Sequence, residues 1–127
     1  MTEATSTERI SEAEQAVMHV LWDEAPLSAT QIAARIPDDR SWTLATIKTL
    51  ISRLVGNNAL AAKPDGRRFL YSPLITRHAM LEQESQLLVN RHFGGRAGPL
   101  FAHLAEREAL TAQDIAEIEA LIARMKK

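Results

Sequence analysis

TLATIKTLISRL, residues 43–54, decides how the rest of the chain is read. Ile47, Leu50, Ile51 and Leu54 recur at helical spacing, which predicts a helix with one face on a core. The other faces carry Thr46, Lys48, Thr49, Ser52 and Arg53. Hydroxylated residues are mediocre helix formers, and exposed helical positions are ordinarily filled with Glu, Lys and Ala. A face of short hydroxyls and positive charge therefore asks for an explanation beyond solubility.

Working outward, Thr43 stands where an N-cap belongs, and Gly56-Asn57-Asn58 is a C-terminal stop signal. Two further helix starts precede this one. SEAE (Ser11 to Glu14) and SATQ (Ser28 to Gln31) each set a hydroxyl three residues before a side chain that can reach back, the capping-box pattern. The first helix carries Ala13, Val17, Met18, Leu21 and Trp22 inward and ends near Pro26. The second carries Ile32, Ala33 and Ile36 and is stopped by Pro37.

After the third helix comes ALAAKPDGRRFLYSP. Pro64-Asp65-Gly66 reads as a turn between short runs, Ala59 to Lys63 and Arg67 to Ser72, in which Phe69 and Tyr71 alternate with Arg68 and Leu70. Three helices and a β-hairpin within about 65 residues is the plan of a winged helix-turn-helix. The fold class expected is mainly α with a small β-hairpin wing, followed by a helical region.

From Leu74 the character changes. A helix through MLEQESQLLVNRHF carries Leu87 and Leu88 and ends at the Gly-rich GGRAGP. A shorter helix follows with Leu100, Phe101 and Leu104. TAQD (Thr111 to Asp114) then opens a last helix with an apolar stripe of Ile115, Ile118, Leu121, Ile122 and Met125. Some 50 residues are too few for a good core of their own, so a striped tail of this kind predicts burial against a second copy. The expected organisation is a flexible N-terminus over 1–9, a winged-helix domain over 10–73 and a helical dimerisation region over 74–127.

The 127 residues, 46% hydrophobic and 24% charged, suit a small folded protein rather than a disordered or membrane-embedded one. No apolar run approaches the ~20 residues that a bilayer helix requires, and no signal segment opens the chain. There is no cysteine, hence no disulfide framework and no thiolate metal site. That fits a cytoplasmic protein, though it would also permit an oxidising compartment. Net charge is −1, but it is unevenly spread. Residues 1–40 hold three cations against eight anions, and 74–127 hold seven of each. Residues 41–73 hold Lys48, Arg53, Lys63, Arg67 and Arg68 against Asp65 alone. The basic patch thus coincides with the unusual helix and the hairpin, as the electrostatic footprint of a phosphate binder would.

A recognition helix in the major groove needs small polar side chains that let it approach base edges. Thr and Ser supply them, Lys48 and Arg53 suit phosphate or guanine, and Arg67 and Arg68 could straddle the neighbouring backbone. Singly, each residue has a plainer explanation: Thr43 as a cap, Thr49 or Ser52 as solvated, the wing cations as protection of an edge strand. Together, in one basic segment of this architecture, they favour DNA contact. The alternatives are a winged-helix adaptor that binds only protein, and a DNA-binding regulator that senses a small molecule.

ISEAEQAVMHVLW, SWTLATIKTLISRL, FLY and the later FGGR with LAEREALT resemble the penicillinase-repressor family, which includes the methicillin-resistance and copper-responsive repressors. The resemblance runs from about Ile10 to the C-terminus. It implies a homodimeric winged-helix transcriptional repressor that binds a dyad-symmetric operator through the recognition helix, about 43–56, and the wing. The DNA-contacting positions it implies are Thr43, Thr46, Lys48, Thr49 and Arg53, with Arg67 and Arg68. A membrane-bound sensor protease is a further partner that the resemblance implies. Two departures stand out. Leu44-Ala45 replaces a Pro-Lys pair common in the family, removing one cationic contact. The cleaved Asn-Phe bond of staphylococcal members falls at His103-Leu104 here, a different pair. Copper sensing by thiolates is excluded by the absence of cysteine.

His19, His78, His92 and His103 show no metal-ligand spacing, so no metal or other cofactor is expected. His19 is expected at a core boundary, and Trp22 and Trp42 in the core. No nucleophile-and-base arrangement stands out, and the chain is not expected to be an enzyme.

Overall fold

A computed structural model describes residues 10–127, apart from the side chain of Asp38. The expected flexible segment 1–9 lies outside the described residues. The chain divides into two compact units, the first ending at Gln83 and the second running Glu84–Lys127.

In the first unit α1 (Glu12–Asp23) and α2 (Ala29–Arg35) begin at the two capping boxes, both formed reciprocally. The Glu14 N–H donates to Ser11 Oγ at 3.1 Å and the Ser11 N–H to Glu14 Oε1 at 2.8 Å. Glu14 is only 4% exposed, and the box supplies its carboxylate with a partner. A 3-10 turn (Asp38–Arg40) leads to α3 (Leu44–Gly56), capped by Thr43, whose Oγ1 accepts from the Thr46 N–H at 3.1 Å. Val17, Met18 and Leu21 of α1, Ile32 of α2, and Ile47, Ile51 and Leu54 of α3 form the core, all nearly or wholly inaccessible to water. These are the periodic positions of each helix, so the apolar pattern and the packing agree.

Helix α3 stops by a Schellman arrangement. The Ala59 N–H reaches Leu54 O at 2.8 Å and the Asn58 N–H reaches Val55 O at 3.1 Å, with Asn58 left-handed at φ +64°. Asparagine is among the few residues with a side chain that visit this region readily.

The hairpin consists of β1 (Leu60–Asp65) and β2 (Arg68–Pro73), antiparallel, with Asp65 opposite Arg68 and Leu60 opposite Pro73. Each strand is thus displaced by one or more residues from the expected runs, and Pro64 lies in a strand rather than in the turn. The ladder explains why. Asp65 and Arg68 flank a two-residue loop and form a hydrogen-bonded pair, so Pro64 and Phe69 form the next, non-hydrogen-bonded pair. Pro64 is at a position where no N–H is needed. Gly66, at φ +65°, takes the first loop position, where the hairpin demands a positive φ. A further connection was not expected: Leu27 and Tyr71 exchange backbone hydrogen bonds of 3.1 and 2.8 Å. The outward edge of β2 is thereby partly paired, anchoring the wing to the segment before α2.

The indole of Trp22 is half-buried rather than fully enclosed, and His19 is exposed with its ring edge-on to it, centroids 5.1 Å apart. Trp42 is likewise half-buried against the core. Helix α4 (Arg77–His92) starts three residues before the run read from sequence, with Thr76 Oγ1 accepting from the Ala79 N–H at 2.9 Å. Its Met80 is 2% exposed.

In the second unit α4 ends before Gly94 and Gly95, both at positive φ. Helix α5 (Ala97–Glu106) includes Gly98 and Pro99, so only the first half of the Gly-rich stretch breaks the chain. Pro99 falls in the first turn, where its missing N–H would have no helical partner in any case. Helix α6 (Ala112–Met125) opens at Thr111, which forms a complete capping box with Asp114, both bonds 3.0 Å. Among the residues of this unit none is buried.

Candidate nucleic-acid interface

Helix α3 and the wing supply the site. Helical geometry sets Thr49 and Ser52 opposite the core, with Thr46 and Arg53 on one flank and Lys48 on the other. All five are exposed. Two hydroxyls also have internal work: Thr43 Oγ1 is the cap and lies 3.1 Å from Thr46 Oγ1, and Thr49 Oγ1 donates to Ala45 O at 3.1 Å. Ser52, Lys48 and Arg53 have no such ties among the described residues.

The wing brings Arg67 and Arg68 beside Lys48. These three side chains, with Ser28, Thr30, Phe69 and Tyr71, line a cleft of about 300 Å³ between the start of α2, α3 and β2. A smaller hollow of about 170 Å³ shares Lys48, Phe69 and Tyr71 with it and is lined further by Ser52 and Val55 among others. Lys48, Phe69 and Tyr71 thus border both hollows of a surface that runs from the helix to the wing. Phe69, 49% exposed, belongs to that surface although its charge-free side chain gave no reason to include it. The alternation of Phe69 and Tyr71 was the available signal, since strand period two puts both on the α3 side. Thr30 had no signal at all; only the tertiary fold brings it to the basic residues.

Electrostatics sharpen the picture. Elsewhere in the first unit, Arg35 pairs with Glu24 (2.7 Å), Arg77 with Asp23 (2.8 Å) and Arg40 with Glu12. In the basic segment Arg68 meets Asp65 at 3.2 Å, while Lys48, Arg53, Lys63 and Arg67 have no ion pair among the described residues. Within the first unit, the Lys and Arg side chains without an ion pair among the described residues are therefore those of α3 and the hairpin. A surface with unpaired cations, short hydroxyls and two aromatic rings can contact phosphates and base edges.

The second unit holds the remaining residues singled out from sequence. Phe101, Ile115, Leu121 and Ile122 are each between 45 and 48% exposed, Leu88 43% and Met125 82%. Leu87, Leu104 and Ile118 are half-exposed. His103 and Leu104, the pair at the expected cleavage position, lie inside α5, with the His103 ring tilted against Phe93 at 6.1 Å.

Comparison with known proteins bears on both units. Residues 10–124 match the family model described as Penicillinase repressor. The chain is 27% identical over 118 residues to the penicillinase repressor of Bacillus licheniformis, covering 93% of this chain and 92% of that one. It is 30% identical over 116 residues to the methicillin resistance regulatory protein MecI of Mammaliicoccus sciuri, covering 91% and 94%. Among solved structures, the DNA binding domain of the repressor BlaI superposes with a TM-score of 0.52 at 30% identity, over 61% of this chain and 90% of that domain.

Proposed function

The chain belongs to the penicillinase-repressor family, and from that membership we propose that it is a DNA-binding transcriptional repressor acting as a homodimer on a dyad-symmetric operator. The observation that supports the DNA contact is the cleft in which Lys48 of α3 stands beside Arg67 and Arg68 of the wing, with Arg53 exposed on the same helix and unpaired among the described residues. Helix α3 enters the major groove with Thr46, Thr49, Ser52 and Arg53 toward the bases. Lys48 and the wing arginines hold the backbone, and Thr43 serves as cap and phosphate neighbour at the helix start. The protein acts by occupying DNA rather than by catalysis, in the compartment that holds the DNA.

The homodimer is supported by the unburied second unit. Helices α5 and α6 enclose no residue of their own, yet present Phe101, Ile115, Ile118, Leu121 and Ile122. Removing such side chains from water stabilises an assembly by about 25 cal/mol per Å². A second copy offering the same face provides an isologous partner. Two α3 helices then meet successive major grooves about 34 Å apart. A membrane-bound sensor protease is proposed as the releasing partner, with the resemblance as its support. The bond at His103-Leu104 lies in a helix rather than in an exposed loop, so α5 would have to unwind before cleavage.

The test is fluorescence anisotropy with DNA from upstream of the protein's own gene and with an unrelated duplex, at two salt concentrations. Preference for the upstream DNA that persists as salt rises supports the proposal. Binding to neither duplex would favour the adaptor alternative.

A further inference from the structure

We propose that Arg40 is a positioning residue for DNA recognition: it straps the turn entering α3 onto the first turn of α1 and so fixes Trp42 and the Thr43 cap. The proposal rests on the DNA-binding reading of α3 and adds a residue that acts without touching DNA.

The geometry is that of a fork. Two guanidinium nitrogens of Arg40 meet the two carboxylate oxygens of Glu12, Nη1 to Oε1 at 2.9 Å and Nη2 to Oε2. The two residues are 28 positions apart. Such bidentate pairing fixes orientation as well as charge. The same guanidinium lies over the Trp42 ring, 5.0 Å from its centroid, within cation–π range. Its backbone is tied as well, the Arg40 N–H donating to Pro37 O at 3.1 Å.

The constraint is needed there. Ser41, between Arg40 and Trp42, is left-handed at φ 56°, a conformation that costs a residue with a side chain roughly 1–2 kcal/mol. A chain left to itself would relax that residue, and Trp42 and Thr43 would move with it. Arg40 holds one side of the strained residue, and the packing of Trp42 on the core holds the other. Immediately afterwards Thr43 fixes the first turn of α3. Recognition requires side chains held to within about 0.5 Å, so the start of α3 is where such a strap acts on affinity.

Glu12 already occupies the fork, and the pair perturbs both groups in the expected sense. Its hydrogen bond with Arg40 holds the Glu12 carboxyl below its ordinary range, and the bond with Glu12 raises Arg40. An isolated exposed ion pair contributes little to stability. The strap therefore works by orienting the turn rather than by stabilising the whole fold.

The experiment uses the full chain with Arg40→Ala, Arg40→Lys and the charge swap Glu12→Arg with Arg40→Glu. Amide exchange is read over residues 41–46, and binding to the upstream duplex is read across a salt series. In Arg40→Ala, exchange over 41–46 rises while that of the α1 interior does not, and affinity falls about ten-fold with an unchanged salt slope. Arg40→Lys, which keeps charge but not the fork, loses affinity in the same direction and serves if the alanine variant does not fold. The charge swap re-forms the ion pair in reverse but not the contact over Trp42, and so recovers part of the affinity lost in Arg40→Ala. A salt slope reduced by about one, or a swap weaker than Arg40→Ala, would mean that Arg40 itself holds a phosphate and overturns the proposal. Unchanged exchange and affinity overturns it as well. Wild-type protein that binds neither duplex sinks the DNA-binding reading itself; wild-type affinity that survives Arg40→Ala sinks only this inference.

Discussion

The indole N–H of Trp22 donates to the carbonyl oxygen of Ile75 at 2.9 Å, joining residues 53 positions apart. The ring is also met by the Arg77 guanidinium at 5.7 Å, and Arg77 in turn pairs with Asp23. One side chain on α1 thus holds the segment that leads from the wing into α4. Trp22→Phe keeps an aromatic ring and removes the donor, leaving a part-buried carbonyl unpartnered. We expect a loss of about 1–3 kcal/mol in urea unfolding, with little change in m value. A midpoint equal to wild type would show that water replaces the indole at no cost.

Thr43 is a structural cap before it is anything else. Thr43→Ala should cost about 1 kcal/mol of stability, whereas Thr43→Ser should retain most of it. Thermal unfolding of the two variants checks this. Equal melting temperatures would mean that the bond to the Thr46 N–H contributes nothing.

Asp65 is the one carboxylate in the basic segment, and it pairs with Arg68. Asp65→Asn frees that guanidinium and should tighten DNA binding at low salt. Arg67→Ala should weaken it and lower the slope of log affinity against log salt by about one. A titration series in salt distinguishes the two effects, and an unchanged slope in Arg67→Ala would remove Arg67 from the phosphate-contacting set.

Ile118→Asp combined with Leu121→Asp places two charges on the α6 stripe. If the wild type is the proposed dimer, sedimentation equilibrium should then show a monomer, because an unpaired charge in an apolar interface is strongly unfavourable. A dimer that survives both substitutions would place the interface elsewhere.

The Glu12–Arg40 strap should open in acid. The carboxyl titrates below its ordinary value of 4.5, chiefly because it accepts the Arg40 hydrogen bonds. A depressed carboxylate contributes its stabilisation above the ordinary value and loses it as pH falls through the folded one. Amide exchange over residues 41–46, corrected for intrinsic rate, should therefore differ between wild type and Glu12→Gln near neutrality and converge in acid. A difference that persists below the Glu12 titration would mean that the carboxylate charge is not what holds the turn.

What was legible from the sequence alone is local chemistry. Ser11 with Glu14, Ser28 with Gln31, Thr111 with Asp114 and Thr43 each write a helix start within three residues, and all four form. The apolar positions of α3 name their own buried face, since helical periodicity needs no partner to be read. Charge clustering between 41 and 73 is likewise a property of the sequence itself.

Tertiary structure decided what depends on distant partners. Pro64 read as a turn residue, yet strand pairing set it where a missing N–H costs nothing, opposite Phe69. Nothing in the sequence around Leu27 announces its backbone pairing with Tyr71. Thr30 and Phe69 joined the basic cleft only through the docking of the wing beside α3. Arg40 read as one cation at the end of an acidic segment, and only packing showed that Glu12 and Trp42 hold it. Caps and periodicity depend on neighbours a few residues away, which the order of residues specifies directly. Ladder register, ion pairing across 28 residues and the shape of a cleft depend on how the elements come together, and that is settled by the packing of the whole core.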